Sequence, residues 1–86
     1  MIDLESLRIY SNARDLPVGK SLTLPPANSS DDFGGLVIKR NSAKTFVFQR
    51  EFYRTRSRWA DTPADAIREI TYYLVTGNLH PSDNLT

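Results

Sequence analysis

The stretch from Asp61 to Gly77 carries a complete set of helix start and stop signals, and it constrains the fold more than any other part of the chain. Thr62 stands at the capping position, Pro63 at the first helical position, Asp65 three residues after the cap, and Gly77 just past the end. Between these limits apolar residues recur at the spacing of one helical face, at Ala66, Ile67, Ile70, Tyr73 and Leu74. We predict a helix over 63–76 that packs its apolar face on another layer. The side chains expected to meet water are Asp65, Arg68, Glu69 and Tyr72.

The preceding residues supply that layer as short β segments. Residues 21–24 alternate polar and apolar side chains before two prolines, residues 36–38 and 45–49 are β-branched or aromatic, and residues 54–59 alternate with period two. We therefore predict an α+β fold, with a small antiparallel sheet of three or four strands and the C-terminal helix packed on one face. The predicted core comprises Leu22, Leu24, Leu36, Ile38, Phe46, Phe48, Trp59, Ile67, Ile70 and Leu74.

The remaining segments are less regular. Leu4, Leu7 and Ala13 recur at helical spacing, although Leu7 and Ile9 could equally lie in a short strand; we expect a short N-terminal helix. Residues 25–35 are rich in Pro, Ser, Asn, Asp and Gly, which predicts a flexible surface loop with Phe33 as its one anchor. Residues 78–86 are expected to form a disordered tail.

Size and cysteine content limit the classes of protein that this chain can belong to. Its 86 residues allow one small domain over 1–86, with little room for a deep pocket beside the core. With no cysteine there is neither a disulfide framework nor a thiolate metal site, which is typical of cytoplasmic proteins. The sequence contains no apolar run of membrane-spanning length and no basic stretch leading into an apolar one at its start. We expect a cytoplasmic protein without a membrane partner.

The charge is distributed unevenly along the sequence. The formal net charge is only +1, but residues 39–58 hold seven basic residues against one acid, a net of +6. The other four basic and nine acidic residues give the remainder a net of −5. A concentration of one sign creates a field that scattered charges do not, so this segment predicts an anionic partner.

Alternation in the last β segment places Arg54, Arg56 and Arg58 on one face, where we expect them to point outward in a row. Guanidinium groups grip phosphates and carboxylates, and an aromatic ring such as Tyr53 can stack on a base. The predicted binding residues are Lys39, Arg40, Lys44, Arg50, Tyr53, Arg54, Arg56 and Arg58. The same residues could instead form a solvated face that protects a sheet edge from aggregation.

Two binding functions follow from this charge. The first is a non-catalytic module that contacts nucleic-acid phosphates through a basic β-hairpin. The second is a protein-binding inhibitor or adaptor, of the kind that phages and plasmids use, which docks its basic strip on an acidic groove of a host protein. The oligomeric state is left open by both.

Catalytic and cofactor signals are weak. Gly19-Lys20-Ser21 lacks the upstream glycine of a phosphate-binding loop, and His80 stands beside a proline in the expected tail, where no rigid neighbour is expected to tune it as a base or a ligand. Asp31 and Asp32 are adjacent and point apart in an extended loop, so they do not form a general acid and base pair. We predict no catalytic residue, no metal, no cofactor and no small-molecule substrate.

Overall fold

A computed structural model describes residues 4–27 and 30–81, as a helix, four strands and a second helix. The elements are α1 (Leu4–Arg14), β1 (Ser21–Leu24), β2 (Leu36–Arg40), β3 (Phe46–Arg50), β4 (Tyr53–Ala60) and α2 (Pro63–Thr76). The strands form one antiparallel sheet in chain order, each hydrogen-bonded to the next. The predicted α+β fold is confirmed, including the short N-terminal helix. No described helix is long and apolar enough to cross a membrane.

Helix α2 begins and ends at the residues that the sequence indicates. Thr62 Oγ1 accepts a hydrogen bond from the Asp65 backbone N–H at 3.1 Å, which satisfies one of the unpaired donors of the first turn. Gly77 adopts the left-handed conformation with φ 75° and donates its N–H to the Tyr73 carbonyl at 2.7 Å. Glycine adopts this conformation without a steric cost, so the helix stops there.

Both helices pack on the same face of the sheet. Ile9 and Ala13 of α1, and Ala66, Ile70 and Tyr73 of α2, are buried in one cluster. The buried strand residues of that cluster are Leu36, Ile38, Phe46, Phe48 and Ala60. We call this side of the sheet the helix face. Two hydroxyl groups join the helices, since the Thr71 Oγ1 donates to the Ser6 Oγ at 2.8 Å.

The other side of the sheet, which we call the open face, follows from the strand register. Its residues alternate with those of the helix face and pair across the strands as Ser21, Lys39, Val47 and Trp59 in one row and Thr23, Val37, Gln49 and Ser57 in the next. Trp59 therefore lies on the open face with 37% of its surface exposed, and its predicted place in the core is wrong. Of the other predicted core residues, five are buried, and Leu22, Leu24, Ile67 and Leu74 are half-buried.

The loop before β2 is held against the β3–β4 turn. Phe52 donates its N–H to the Phe33 carbonyl and Glu51 donates its N–H to the Gly35 carbonyl, each at 2.9 Å. Gly35 lies so close to β1 that an added Cβ would come within 1.8 Å of the Leu24 carbonyl oxygen, so only glycine fits there. Beyond α2, Leu79 is buried in the core cluster, although the sequence predicted a tail from residue 78. Residues 28–29 of the predicted loop and 82–86 of the predicted tail lie outside the described residues.

Candidate functional site

The eight predicted binding residues do not form one surface. Arg50 and Arg58 are held by carboxylates inside the protein, Arg40 and Arg56 donate to backbone carbonyls, and the other four are exposed. The predicted outward row of Arg54, Arg56 and Arg58 is therefore wrong. Alternation along β4 does place these arginines and Trp59 on opposite sides of the strand. In the middle of β4, however, the side that carries the arginines is the helix face.

Arg58 lies on the helix face because β4 pairs Arg58 with Phe48, a core residue of β3. Its side chain is 11% exposed, and its Nε and Nη2 donate to Glu69 Oε2 at 3.0 and 2.9 Å. Glu69 is 4% exposed, so its predicted place in solvent is also wrong. The other carboxylate oxygen, Oε1, is buried without a hydrogen-bond partner. Burying both charges removes their hydration, which the ion pair must offset.

Arg50 is the most enclosed of the predicted binding residues, at 2% exposure. Its Nη2 donates to Asp31 Oδ2 and to the Gly34 carbonyl, both at 2.6 Å. Nη1 donates to Asn78 Oδ1 at 3.1 Å, and the guanidinium carbon lies 5.6 Å from the ring centroids of Phe33 and Tyr73. One side chain thus ties the loop before β2 to the end of α2, which is a structural role.

The charge on Arg50 also changes the acidity of its neighbours. The hydrogen bond from Arg50, followed by one from the Phe33 backbone N–H at 2.9 Å, holds the pKa of Asp31 below its usual value. Burial raises the pKa of the Tyr73 hydroxyl, an effect that the nearby Arg50 partly opposes. That hydroxyl donates to the Pro25 carbonyl at 2.8 Å. Both groups serve the packing of the loop.

Arg40 and Arg56 are half-buried and bind carbonyl oxygens. The Arg40 guanidinium donates to the carbonyls of Leu16, Ser42 and Ala43 at 2.9–3.3 Å and to that of Arg14, so it joins the end of α1 to the β2–β3 turn. Arg56 donates to the His80 carbonyl, which holds the segment after α2. Carbonyls do not neutralise the charge, but they occupy donors that a phosphate would need.

Lys39, Lys44 and Arg54 are the exposed cations of the predicted set. Lys39 lies on the open face, Lys44 in the β2–β3 turn, and Arg54 at the start of β4, where its Nε donates to the Glu51 carbonyl at 3.2 Å. The described residues of the open face include no Asp or Glu. Asp61 stands beside the β2–β3 turn and accepts a hydrogen bond from the Thr45 hydroxyl at 3.3 Å.

Exposed aromatic rings lie at two places. Trp59 is on the open face, in the same cross-strand row as Val47 and Lys39. At the β3–β4 turn, the rings of Phe33 and Tyr53 stack at 4.6 Å with an angle of 14°, and Phe52 is 71% exposed. We call Phe33, Phe52 and Tyr53 the aromatic tip. Phe33 is the predicted loop anchor and Tyr53 is a predicted binding residue, whereas Phe52 is not among the predicted binding residues.

The described residues contain no group of three or more His, Asp or Glu side chains that could hold a metal ion. A groove of about 590 Å³ runs along α2 and is lined mainly by apolar side chains and hydroxyls, with Arg68 and His80 among them. His80 packs its ring against Tyr72 at 4.8 Å between centroids.

Comparisons with protein-family models, with curated proteins and with solved structures found no match.

Proposed function

We propose that this protein is a non-catalytic binding module that contacts nucleic-acid phosphates with the exposed cations of its β2–β4 segment. The observation that carries the proposal is the charge of the open face, which holds Lys39 and no carboxylate among its described residues. Lys44 and Arg54 add an exposed cation near each end of the hairpin strands. A flat surface with one sign of charge attracts a polyanion and does not repel it at close range.

The structure reduces the number of phosphate contacts that the sequence suggests. Four of the seven basic residues between 39 and 58 are buried or half-buried and bind groups of the protein itself, which leaves the exposed Lys39, Lys44 and Arg54. Three phosphates neutralised by these cations predict a slope of log affinity against log salt of about −2.7 on duplex DNA and about −2.1 on a single strand. An affinity that does not change with salt contradicts the proposal.

The variant that tests it replaces all three exposed cations, K39Q/K44Q/R54Q, and its matched control is R8Q/R14Q/R68Q. Both sets change the formal net charge from +1 to −2, but the control residues lie on the two helices. We expect gel-shift affinity to fall about 10-fold or more in the first variant at low salt, and to change much less in the control. Equal losses would mean that only the overall charge matters. Unchanged far-ultraviolet circular dichroism confirms that both variants are folded.

The aromatic tip favours a second function, in which the protein binds another protein as an inhibitor or adaptor. Phe52 is 71% exposed beside the stacked Phe33 and Tyr53, and exposed aromatic side chains are common anchors of protein interfaces. Arg54 would lie against an acidic groove of the partner. Recovery of one stoichiometric protein after nuclease treatment, lost in F52S but not in K39Q, favours this function. Recovery of mixed nucleic acid, lost in K39Q/K44Q/R54Q, favours the first.

For either function we propose a cytoplasmic location, because a chain without cysteine derives no stability from an oxidising compartment.

A further inference from the structure

A cleft lined by three cations lies between the end of α1, the β2–β3 turn and the start of α2. Its volume is about 370 Å³, and the cations are Arg14, Arg40 and Lys44. Among the described residues that line it, the one carboxylate belongs to Asp61, so the cleft has a formal net charge of +2. Tyr10 forms part of its wall. A concave surface with one dominant sign of charge concentrates its field on an occupant of the cleft.

Two of these cations have donors that the protein itself does not use. Arg14 and Lys44 are exposed, and within the described parts of the chain neither side chain has a hydrogen bond or an ion pair. The Arg14 guanidinium carbon lies 6.0 Å from the centroid of the Tyr10 ring, a contact with the ring face that leaves the N–H donors to other partners. Asp61 accepts a hydrogen bond from the Thr45 hydroxyl and forms no ion pair with these cations.

Arg40 joins the segments that carry the two exposed cations. Its guanidinium donates to the carbonyl of Arg14 at the end of α1 and, at 2.9 Å, to the carbonyl of Ala43, the residue before Lys44. Most of its donors are thus in use, but carbonyl partners leave its positive charge in place. Binding groups that are held in position before a ligand arrives lower the entropic cost of binding. Arg40 therefore supports the cleft and adds to its field.

We propose that this cleft binds the phosphate group of a phosphomonoester, with the Arg14 guanidinium and the Lys44 ammonium donating to its oxygens. At pH 7 such a group has a charge of about −1.5 to −2, which matches the net charge of the cleft, whereas a phosphodiester or a carboxylate has one negative charge. A guanidinium binds two oxygens of one phosphate as a fork, and a lysine ammonium acts as a point charge. The site goes beyond the proposed function, because Arg14 belongs to α1, on the other side of the sheet from the open face.

An NMR titration of the wild-type protein tests the site without any substitution. The probes are a nucleoside monophosphate and O-phosphoserine at constant ionic strength near pH 7, with dimethyl phosphate as the singly charged control. We expect both phosphomonoesters to shift the amide signals around Arg14 and Lys44, and dimethyl phosphate to bind at least about 10-fold more weakly. The tighter phosphomonoester identifies the source of the group as a nucleotide or a phosphorylated side chain. Equal binding of dimethyl phosphate, or shifts spread evenly over all exposed cations, would overturn the proposal.

Substitutions separate this cleft from the open face. R14Q removes a donor of the cleft, and R54Q makes the same charge change at an exposed arginine that does not line it. We expect R14Q to weaken phosphomonoester binding about 10-fold, as for the loss of a charged hydrogen bond, and R54Q to leave it nearly unchanged. Equal effects of R14Q and R54Q contradict the cleft, while weaker binding of K39Q/K44Q/R54Q to a duplex without terminal phosphates would still support the proposed function. If the phosphomonoesters bind at the cleft and the duplex does not bind, only the proposed function fails.

Discussion

Arg54 and Arg58 belong to the same strand, and alternation predicts the same face for both. One of them is nevertheless exposed and the other is largely enclosed by the protein. Arg58 is 11% exposed and its guanidinium is fixed on Glu69, whereas Arg54 is exposed and donates one hydrogen bond to the Glu51 carbonyl. Arg50 on β3 is likewise buried, and Lys39 on β2 is likewise exposed. The charge count of a segment therefore does not give the charge of its surface, because a cation paired with a carboxylate of the same protein adds little to the field that a partner meets.

Arg50 and Arg58 connect segments of the protein through polar contacts. Arg50 binds the loop before β2 and the end of α2, and Arg58 joins β4 to α2. A guanidinium can donate several hydrogen bonds in fixed directions, so one side chain satisfies carbonyls and a carboxylate together. These contacts position the aromatic tip and the strand that carries Trp59, which makes the inner cations indirect supports of the outer surface.

We expect the substitution of Arg50 to have the largest effect on stability. R50A removes a large buried side chain together with the donor of Asp31 Oδ2 and of the buried Gly34 carbonyl, and we expect the free energy of unfolding to fall by about 3–5 kcal/mol. The same substitution at the exposed position, R54A, should change it by no more than about 0.5 kcal/mol. Urea denaturation of both variants measures the difference. Similar losses at the two sites would contradict the contrast between inner and outer cations.

The next prediction concerns the Arg58–Glu69 ion pair. It compares the loss of stability when one charge is removed with the loss when both are removed. R58M leaves the buried Glu69 carboxylate without its cation and should lower the free energy of unfolding by about 3 kcal/mol or more, and E69L, which removes the acceptor of two hydrogen bonds from Arg58, should also lower it. The double variant R58M/E69L removes both charges and also the unpartnered Glu69 Oε1, so its stability should lie within about 1 kcal/mol of the wild type or above it.

A double-mutant cycle from the four urea curves measures the coupling between the two side chains. Additive losses would show that Arg58 and Glu69 act independently, and the interpretation of this pair would then be wrong.

Much of the fold follows from local sequence signals. The predicted helix over 63–76 is confirmed, and each of its signals acts locally: Thr62 caps the first turn, Pro63 begins the helix and Gly77 ends it. The strands follow from alternation and β-branched composition. Local sequence signals do not determine the register between the strands, because the register depends on contacts between residues that are distant in the sequence. Pairing of Phe48 with Arg58 puts Arg58 inside and Trp59 outside, and no local pattern in β4 determines this.

The spacing of residues on α2 contains a sequence signal for the buried ion pair that was not used in the prediction. Counted from Ala66, the positions three, four and seven residues later are Glu69, Ile70 and Tyr73, and all four are buried. Glu69 thus occupies a core position of the helix, and a carboxylate in such a position needs a buried cation. The arginine-rich strand supplies that cation. The position of Glu69 on α2 therefore predicts that at least one of Arg54, Arg56 and Arg58 turns inward.

The pH dependence of stability gives a smaller test of the inner network. The pKa of Asp31 is lowered in the folded protein, first by Arg50, so its contribution is complete above the unfolded pKa of about 4. It is lost as the pH falls through the lower folded pKa. We expect the wild type to be more stable than D31N at pH 6 and the two urea midpoints to converge toward pH 2. D32N makes the same charge change at an exposed neighbour, and a D31N difference that stays constant with pH would contradict the linkage.

The smallest effect is expected where the same kind of ion pair lies in solvent. Arg68 and Asp65 form an i, i+3 pair on α2, with side chains 64% and 43% exposed. Water already solvates both charges, so R68A should lower the free energy of unfolding by no more than about 0.5 kcal/mol, and about 1 M salt should remove the effect. R68M keeps much of the aliphatic stem along the groove on α2 and separates lost packing from lost charge. If R68A cost as much as R50A and salt left that cost unchanged, burial would not be what distinguishes the arginines of this protein. The division between cations that hold the fold and cations that face a partner would then have to rest on another property.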